Sequence, residues 1–526
     1  MIMYIITHSV KAPFPSILFT TPVTHPIGNN CYTCYMTIKA FHLVRTSLLF
    51  FLLFQNSISC QTFAQTKHPY TNEVENKIKQ VENNLAPWAV DQNNLRFTIA
   101  DRMANYNIHG LSIVMIKDYK IEWVKAYGWA DVTAKRPVTT ETLFQAGSIS
   151  KSLNGVGILK LVQDKELDLY TDINNYLTTW RFPYDSLSKN KIITTANLLS
   201  HTGGLGVHGF AGYTSKDPMP SIKEILDGKN PANSEAVRST DEPGKTAEYS
   251  GGGIIISQLI LTDITHEKYE DYMWRNVLRP LGMKNSFFTQ PAAKYRNLIA
   301  TGYSLDGKEL LGGKYNIYPE LAAAGLWTTP TDLAKYIIET QLSLKGKSNK
   351  VLSQELTKLR LTPYIDNESA LGVFVTIKGT DKYFGHTGGT SGFISEYIGS
   401  FENGNGVVVM TNSGNPGISS EIINSVAEVY KWNNFYNPDV KKSITLPNDI
   451  LENYVGEYSL NGQSIFIVKK QNELWLSSAI QSKMYFTNNS DFYITEKQAD
   501  YKFTKGLNGA IDGFTDKYNR KAKRIK

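Results

Sequence analysis

Ser148 and Lys151, in the tetrad Ser148-Ile149-Ser150-Lys151, carry the first chemical signal in this sequence. A serine hydroxyl attacks an acyl carbon only when a base takes its proton, and a lysine three positions along a helix lies on the same face, within reach of it. Burial disfavours the ammonium form of such a lysine and lowers its pKa toward the range where it accepts a proton. The start of a helix adds N–H groups that favour developing negative charge. Spacing does not single out this pair, because Ser186 with Lys189 and Ser188 with Lys191 match it. Those two pairs sit in the polar loop 185–191, whereas Ser148 follows Leu143-Phe144-Gln145-Ala146-Gly147 and opens a predicted helix with Ile149, Leu153, Val156, Leu159 and Val162 at core spacing. Gly155 and Gly157 on that helix allow neighbours to approach closely.

Two later motifs bring groups that suit the same chemistry. Tyr249-Ser250-Gly251 lies where a loop enters an apolar helix, a place from which a phenol can point into a cleft. His386-Thr387-Gly388-Gly389 is expected to end a strand and lead into the next one, presenting a hydroxyl and a free N–H. The same four letters occur at His201-Thr202-Gly203-Gly204, after a predicted helix over 194–200. There Gly203 reads as the helix C-cap and His201 as a last-turn histidine favourable to the dipole, so that copy is assigned to structure and the second to the site.

The positioning elements follow from periodicity. Leu111–Ile116 and Ile121–Val124 read as two strands around the turn Lys117-Asp118-Tyr119-Lys120. Helical patterns dominate from about 148 to 350, at 149–164, 194–200, 221–227, 253–265, 267–277 and 331–345. Strands return at 383–386, 393–401 and 406–410, so strands flank a helical insert, and both ends of this segment are expected to share one antiparallel sheet. Beyond Pro447, short alternating strands separated by Gly, Asn and Asp turns suggest a small β-barrel or sandwich. The expected division is a leader over 1–64, a catalytic domain over 70–435, a linker over 436–447 and a C-terminal β-domain over 448–526.

In order, Ser148-x-x-Lys151, Tyr249 and His386-Thr387-Gly388 resemble the motifs of the serine β-lactamase and penicillin-binding-protein superfamily, most closely its class C-like branch of D-peptidases, esterases and transesterases. Family-like phrases stand between them: Leu198-Leu199-Ser200-His201-Thr202-Gly203-Gly204-Leu205, and Ala322-Ala323-Ala324-Gly325-Leu326-Trp327-Thr328-Thr329 with Asp332-Leu333. The likeness covers about 85–435, and the tail from 446 is similar to the lipocalin-like domain that often follows such hydrolases. The resemblance implies an α+β fold, an antiparallel sheet flanked by helices with a helical subdomain, followed by a small all-β barrel-like domain. It implies that Ser148 becomes acylated while Lys151 and Tyr249 exchange its proton and deliver one to the leaving group. The N–H groups of Ser148 and Gly389 would form an oxyanion hole. His386, Thr387, Gly388 and Gly251 would line the pocket, with His386 and Thr387 orienting a substrate carboxylate or its equivalent. Two positions depart from the family pattern: Gly251 stands where Asn is usual, and His386 where β-lactamases have Lys. There is no S-D-N triad either. These losses argue against efficient β-lactam hydrolysis and leave ester or D-peptide chemistry intact.

The expected function is therefore an exported serine hydrolase acting on an ester or amide. The alternatives are an acyltransferase passing the same acyl group to an alcohol or amine, and a non-catalytic penicillin-binding or regulatory homologue. No cofactor is implied: H-E-x-x-H, Walker A and G-x-S-x-G are missing, and Gly204-x-Gly206-x-x-Gly209 follows a helix end rather than a strand. Residues 1–72 contain no Asp or Glu, and from Met36 onward Lys39, Arg45 and an apolar run ending at Phe54 have the layout of an export signal. Cleavage is expected after Ala64 or, through a weak lipobox, before Cys60, and a start codon set too early accounts for residues 1–35. The expected location is periplasmic or secreted, with membrane association only through a lipid anchor at Cys60. All three cysteines, Cys31, Cys34 and Cys60, fall in the leader, so the body has no disulfide and no thiol nucleophile. Without residues 1–64 the chain has 52 basic and 48 acidic residues, a net charge of +4 that is too small to argue for nucleic acid. A small-molecule or peptide acyl substrate is the expected partner.

Overall fold

Asp118 and Tyr119 both adopt positive φ, 51° and 61°, as a two-residue primed turn requires, and they join strands Gly110–Lys117 and Lys120–Asp131 into a hairpin. The computed structural model describes residues 70–92, 96–290, 295–460, 463–477, 481–496, 499–516 and 520–525. The leader, its cleavage sites and all three cysteines lie outside the described residues.

The hairpin belongs to a seven-stranded antiparallel sheet. Its order is Arg136–Pro137, Lys120–Asp131, Gly110–Lys117, Gly406–Thr411, Phe393–Ser400, Asp381–Thr390 and Phe374–Lys378. Gly406–Thr411 pairs with Gly110–Lys117 on one side and Phe393–Ser400 on the other, so the two ends of the segment share one sheet, as the sequence pattern predicts. Both faces are covered. Helices Asn72–Asn83 and Gly417–Val429 pack on one, burying Ile78, Val81, Ile418 and Ile422 with Ile113, Met115, Val407 and Val409. The helical insert packs on the other, around Ser150–Gln163, Gly251–Thr265 and Pro330–Leu344.

Helix Ser150–Gln163 is buried on nearly every side, and its glycines explain how. A β-carbon at Gly155 would lie 2.8 Å from the Leu371 carbonyl oxygen, and one at Gly157 would lie 2.6 Å from Met273 Sδ. Among the described residues no helix is long and apolar enough to cross a membrane.

The C-terminal unit is a nine-stranded antiparallel sheet ordered Gln481–Lys483, Glu473–Ser477, Gln463–Lys470, Gly456–Leu460, Lys521–Arg524, Ile511–Asp516, Asp500–Lys505, Asp491–Tyr493 and Tyr485–Phe486. Only Met484 separates its two edge strands in sequence, so the sheet is a nearly closed barrel. Tyr454, Tyr458, Phe486, Phe492, Phe503 and Phe514 fill its interior. The segment read as a linker takes part in the structure, since Asp439–Lys441 pairs in parallel with Ala89–Asp91. Arg102, buried in the catalytic domain, bonds Glu421 at 2.8 Å, and reaches Glu496 at 3.1 Å and Thr495 at 3.2 Å on the barrel side.

Candidate active site

Gly147 makes the turn that presents the serine. Its φ of +52° lies in the left-handed region, and a β-carbon there would sit 2.7 Å from Gly389 N. Ser148 follows in a single 3₁₀ turn, Gly147–Ile149, and the α-helix begins at Ser150, slightly later than the pattern predicts. The i, i+3 geometry nevertheless holds: Lys151 Nζ and Ser148 Oγ are hydrogen-bonded at 3.0 Å. The amine also donates to the Ala323 carbonyl at 2.8 Å, which fixes it from the helix Leu321–Ala324. Lys151 forms no ion pair among the described residues, and burial alone lowers its pKa to about 7. At neutral pH about half of it is therefore free base, beside a serine hydroxyl.

Tyr249 leads into helix Gly251–Thr265, whose N-cap is Ser250. Its phenol is buried and makes no well-formed hydrogen bond, although Ser148 is near enough to act on it. Burial pushes its pKa up strongly, against a smaller lowering by Ser148, so it stays protonated. The Lys151 amine stands 5.0 Å from the centre of the Tyr249 ring.

Both histidine motifs converge here, which corrects the assignment of the first copy. Helix Thr195–Leu199 ends at Ser200, and His201, not Gly203, takes the left-handed conformation with φ of 60°. Its ring is buried 4.4 Å from that of Tyr249, and its Nδ1 accepts the Ser250 N–H at 3.2 Å. Burial, with the nearby Lys151 and His386, holds its pKa well below the ordinary value. It is therefore neutral and cannot serve as a cation at a helix end. His386 lies 6.2 Å from Tyr249, and Phe374 lies 5.2 Å from His386 and 6.1 Å from His201. The His386 pKa falls to about 3 through burial and the Lys151 charge.

The second motif also differs from expectation in its setting. It does not end a strand but lies inside one, Asp381–Thr390. His386 is buried, Thr387 on the other face is exposed, and Gly388 packs on the Ser148 turn, where a β-carbon would lie 1.9 Å from the Ala146 carbonyl oxygen and 3.1 Å from Ser148 N. These close approaches bring the main chains at Ser148 and Gly389 together. Gly251 presents no side chain to the cleft, and a β-carbon there would meet Phe210 Cε2 at 3.0 Å and the His208 carbonyl oxygen at 3.1 Å. Sequence reasoning missed two parts of this site: Phe374, on an edge strand it did not predict, and the carbonyl of Ala323, since the family-like phrase 322–329 marks the segment but not a main-chain contact to Lys151. Among the described residues no cluster of His, Cys, Asp or Glu could hold a metal ion.

Residues 95–429 match the family described as Beta-lactamase. The chain belongs to the β-lactamase family. Within the wider β-lactamase and penicillin-binding-protein superfamily, Protein flp of Staphylococcus aureus strain N315 is 26% identical over 327 residues, 61% of this chain and 62% of that protein. The chain thus spans less than two thirds of that relative's length. Teichoic acid D-alanine hydrolase of Staphylococcus aureus strain MRSA252 is 24% identical over 306 residues, 57% of this chain and 68% of that protein. Two solved structures share the fold. The octameric penicillin-binding protein homologue from Pyrococcus abyssi has a TM-score of 0.57 at 22% identity, covering 80% of this chain and 94% of that one. D-amino acid amidase from Ochrobactrum anthropi SV3 has a TM-score of 0.54 at 21% identity, covering 68% and 99%.

Proposed function

We propose that this β-lactamase-family chain is a serine hydrolase that forms an acyl-enzyme on Ser148 and cleaves D-aminoacyl esters or amides. The carrying observation is the buried, ion-pair-free Lys151 amine at 3.0 Å from Ser148 Oγ. In this reading Ser148 Oγ bonds to the acyl carbon as its proton passes to Lys151 Nζ. The neutral Tyr249 phenol donates a proton to the leaving alcohol or amine and is reprotonated from Lys151. The Ser148 and Gly389 N–H groups hold the oxyanion. Water then attacks the acyl-enzyme, the same base takes its proton, and Ser148 is restored with release of the acid. His386 and His201, both held neutral, shape the wall around Tyr249 rather than carry charge. The substrate class is supported by two relatives whose names specify D-alanine hydrolysis and D-amino acid amide chemistry.

Incubation with a fluorophosphonate followed by peptide mapping tests the nucleophile. The expected adduct is on Ser148, and Ser148→Ala should lower ester turnover by a factor on the order of 10⁴. An unlabelled Ser148, or near wild-type turnover in that variant, refutes the proposal.

A further inference from the structure

The glycine-rich run 206–212 follows the first histidine motif and contributes no reactive group. Its first half is tied to the Tyr249 motif. Gly206 O accepts the Ser250 hydroxyl at 2.7 Å, Val207 O accepts the Gly252 N–H at 2.9 Å, and His208 Nδ1 donates to the Tyr249 carbonyl. Its second half is tied to the far end of the His386 strand. Ala211 O accepts the Tyr318 hydroxyl at 3.3 Å, and the same hydroxyl oxygen accepts the N–H of Ser391, two residues past Gly389, at 3.1 Å. The run therefore crosses from the Tyr249 side of the site to the Gly389 side, with Phe210 in the span. Val207 holds φ at 61°, a conformation that β-branched residues rarely adopt, so its surroundings impose this path.

Gly251 shows where the Phe210 ring lies. Ser250 is extended, with φ of −132° and ψ of 111°, so Tyr249 and Gly251 project to the same side of the chain, and Tyr249 is within reach of Ser148. A β-carbon on Gly251 would meet Phe210 Cε2 at 3.0 Å, so the ring occupies the space into which a side chain at 251 would grow. Phe210 is half-buried, and a β-carbon on the adjacent Gly209 would meet nothing within 4 Å, so open space adjoins the ring. The polar groups alongside are already engaged. His208 Nδ1 and the Tyr318 hydroxyl bond main chain, and Asn316 Nδ2 donates to Ala211 O at 3.1 Å and Ser391 Oγ at 3.3 Å. A polar group brought against the ring would lose water without gaining these partners, whereas an apolar one loses nothing.

Resting on the reading of Ser148 as the acylated residue, we propose that Phe210 is the wall of a subsite for the side group of the acyl donor and determines specificity there. The side group it takes is apolar, and an aryl ring gains most because it can pack against the Phe210 ring. The missing side chain at Gly251 is what leaves room for that wall.

The test compares nitrophenyl phenylacetate with nitrophenyl acetate by kcat/KM in the full chain, in Phe210→Ala and in Phe210→Leu. Dividing each variant's ratio by that of the wild type removes the intrinsic difference between the esters. Phe210→Ala should lower the phenylacetate-to-acetate ratio about tenfold, and Phe210→Leu, which keeps an apolar filler, about threefold. An unchanged or increased ratio in Phe210→Ala overturns the subsite, and should that variant fail to fold, an unchanged ratio in Phe210→Leu does so. Fluorophosphonate labelling separates the two readings. An unlabelled Ser148 refutes the nucleophile, whereas a labelled Ser148 with a ratio indifferent to Phe210 refutes only the subsite.

Discussion

The rate of acylation should follow the titration of Lys151. An ordinary lysine, with a pKa of 10.5, is free base to only about one part in 3,000 at pH 7, whereas burial brings Lys151 to about 7, where half is neutral. The fold thus supplies on the order of 10³-fold more base at neutral pH than an exposed lysine would. A protonated amine cannot accept the Ser148 proton, so kcat/KM should rise tenfold per pH unit below about 7 and level off above it. No falling limb should come from Tyr249, whose phenol burial keeps protonated. Nitrophenyl acetate hydrolysis between pH 5 and 9 measures this. Another buried carboxyl, Glu320, is also raised to about 7 and would titrate in the same window. Glu320→Gln should leave the midpoint in place, and His386→Asn should too, since that imidazole titrates near 3. Lys151→Arg, permanently protonated, should lose the rising limb and at least 10³ in rate. A flat wild-type profile, or a midpoint that leaves with Glu320→Gln, refutes the assignment of Lys151 as the base.

Tyr249→Phe should lower kcat by roughly 10²- to 10⁴-fold, because it removes the proton donor while keeping the ring that packs on His201. His201→Ala should cost less in kcat, about tenfold, because it removes support for Ser250 and Tyr249 but no transferred proton; the reverse ranking in steady-state assays would make His201 the proton carrier. Gly147→Ala should abolish fluorophosphonate labelling in protein that remains folded by circular dichroism, because the added carbon would lie 2.7 Å from Gly389 N and strain a φ of +52°. Normal labelling would show that this close approach does not matter.

Much of this site is legible in residue type and order, because an acyl-enzyme needs a nucleophile, a base and a proton donor that only certain side chains supply. Ser148, Lys151 and Tyr249 were visible for that reason, and the shared sheet was visible because its central strands alternate or run apolar. The role of the first histidine motif was not. A backbone turn at Ser200 and His201 sends that ring inward, and dipole arguments for a surface helix end do not apply to a buried one. The strand Phe374–Lys378 is hard to read because it is only five residues long, lies at the sheet edge and buries a single residue, Val375, so it carries no core period. In the barrel, Asp500–Lys505 and Lys521–Arg524 carry little strand signal for a related reason, since each buries only one residue, Phe503 or Ala522, among polar and charged neighbours.

The bond from Lys151 Nζ to the Ala323 carbonyl ties reactivity to a segment far along the chain that contributes no reactive group of its own. Displacing that one oxygen by a fraction of an ångström would change both the aim of the amine and its willingness to bind a proton, with every motif letter intact. Kinetic divergence among proteins of this architecture can therefore arise at 321–324, where comparison of motif residues alone would find nothing altered.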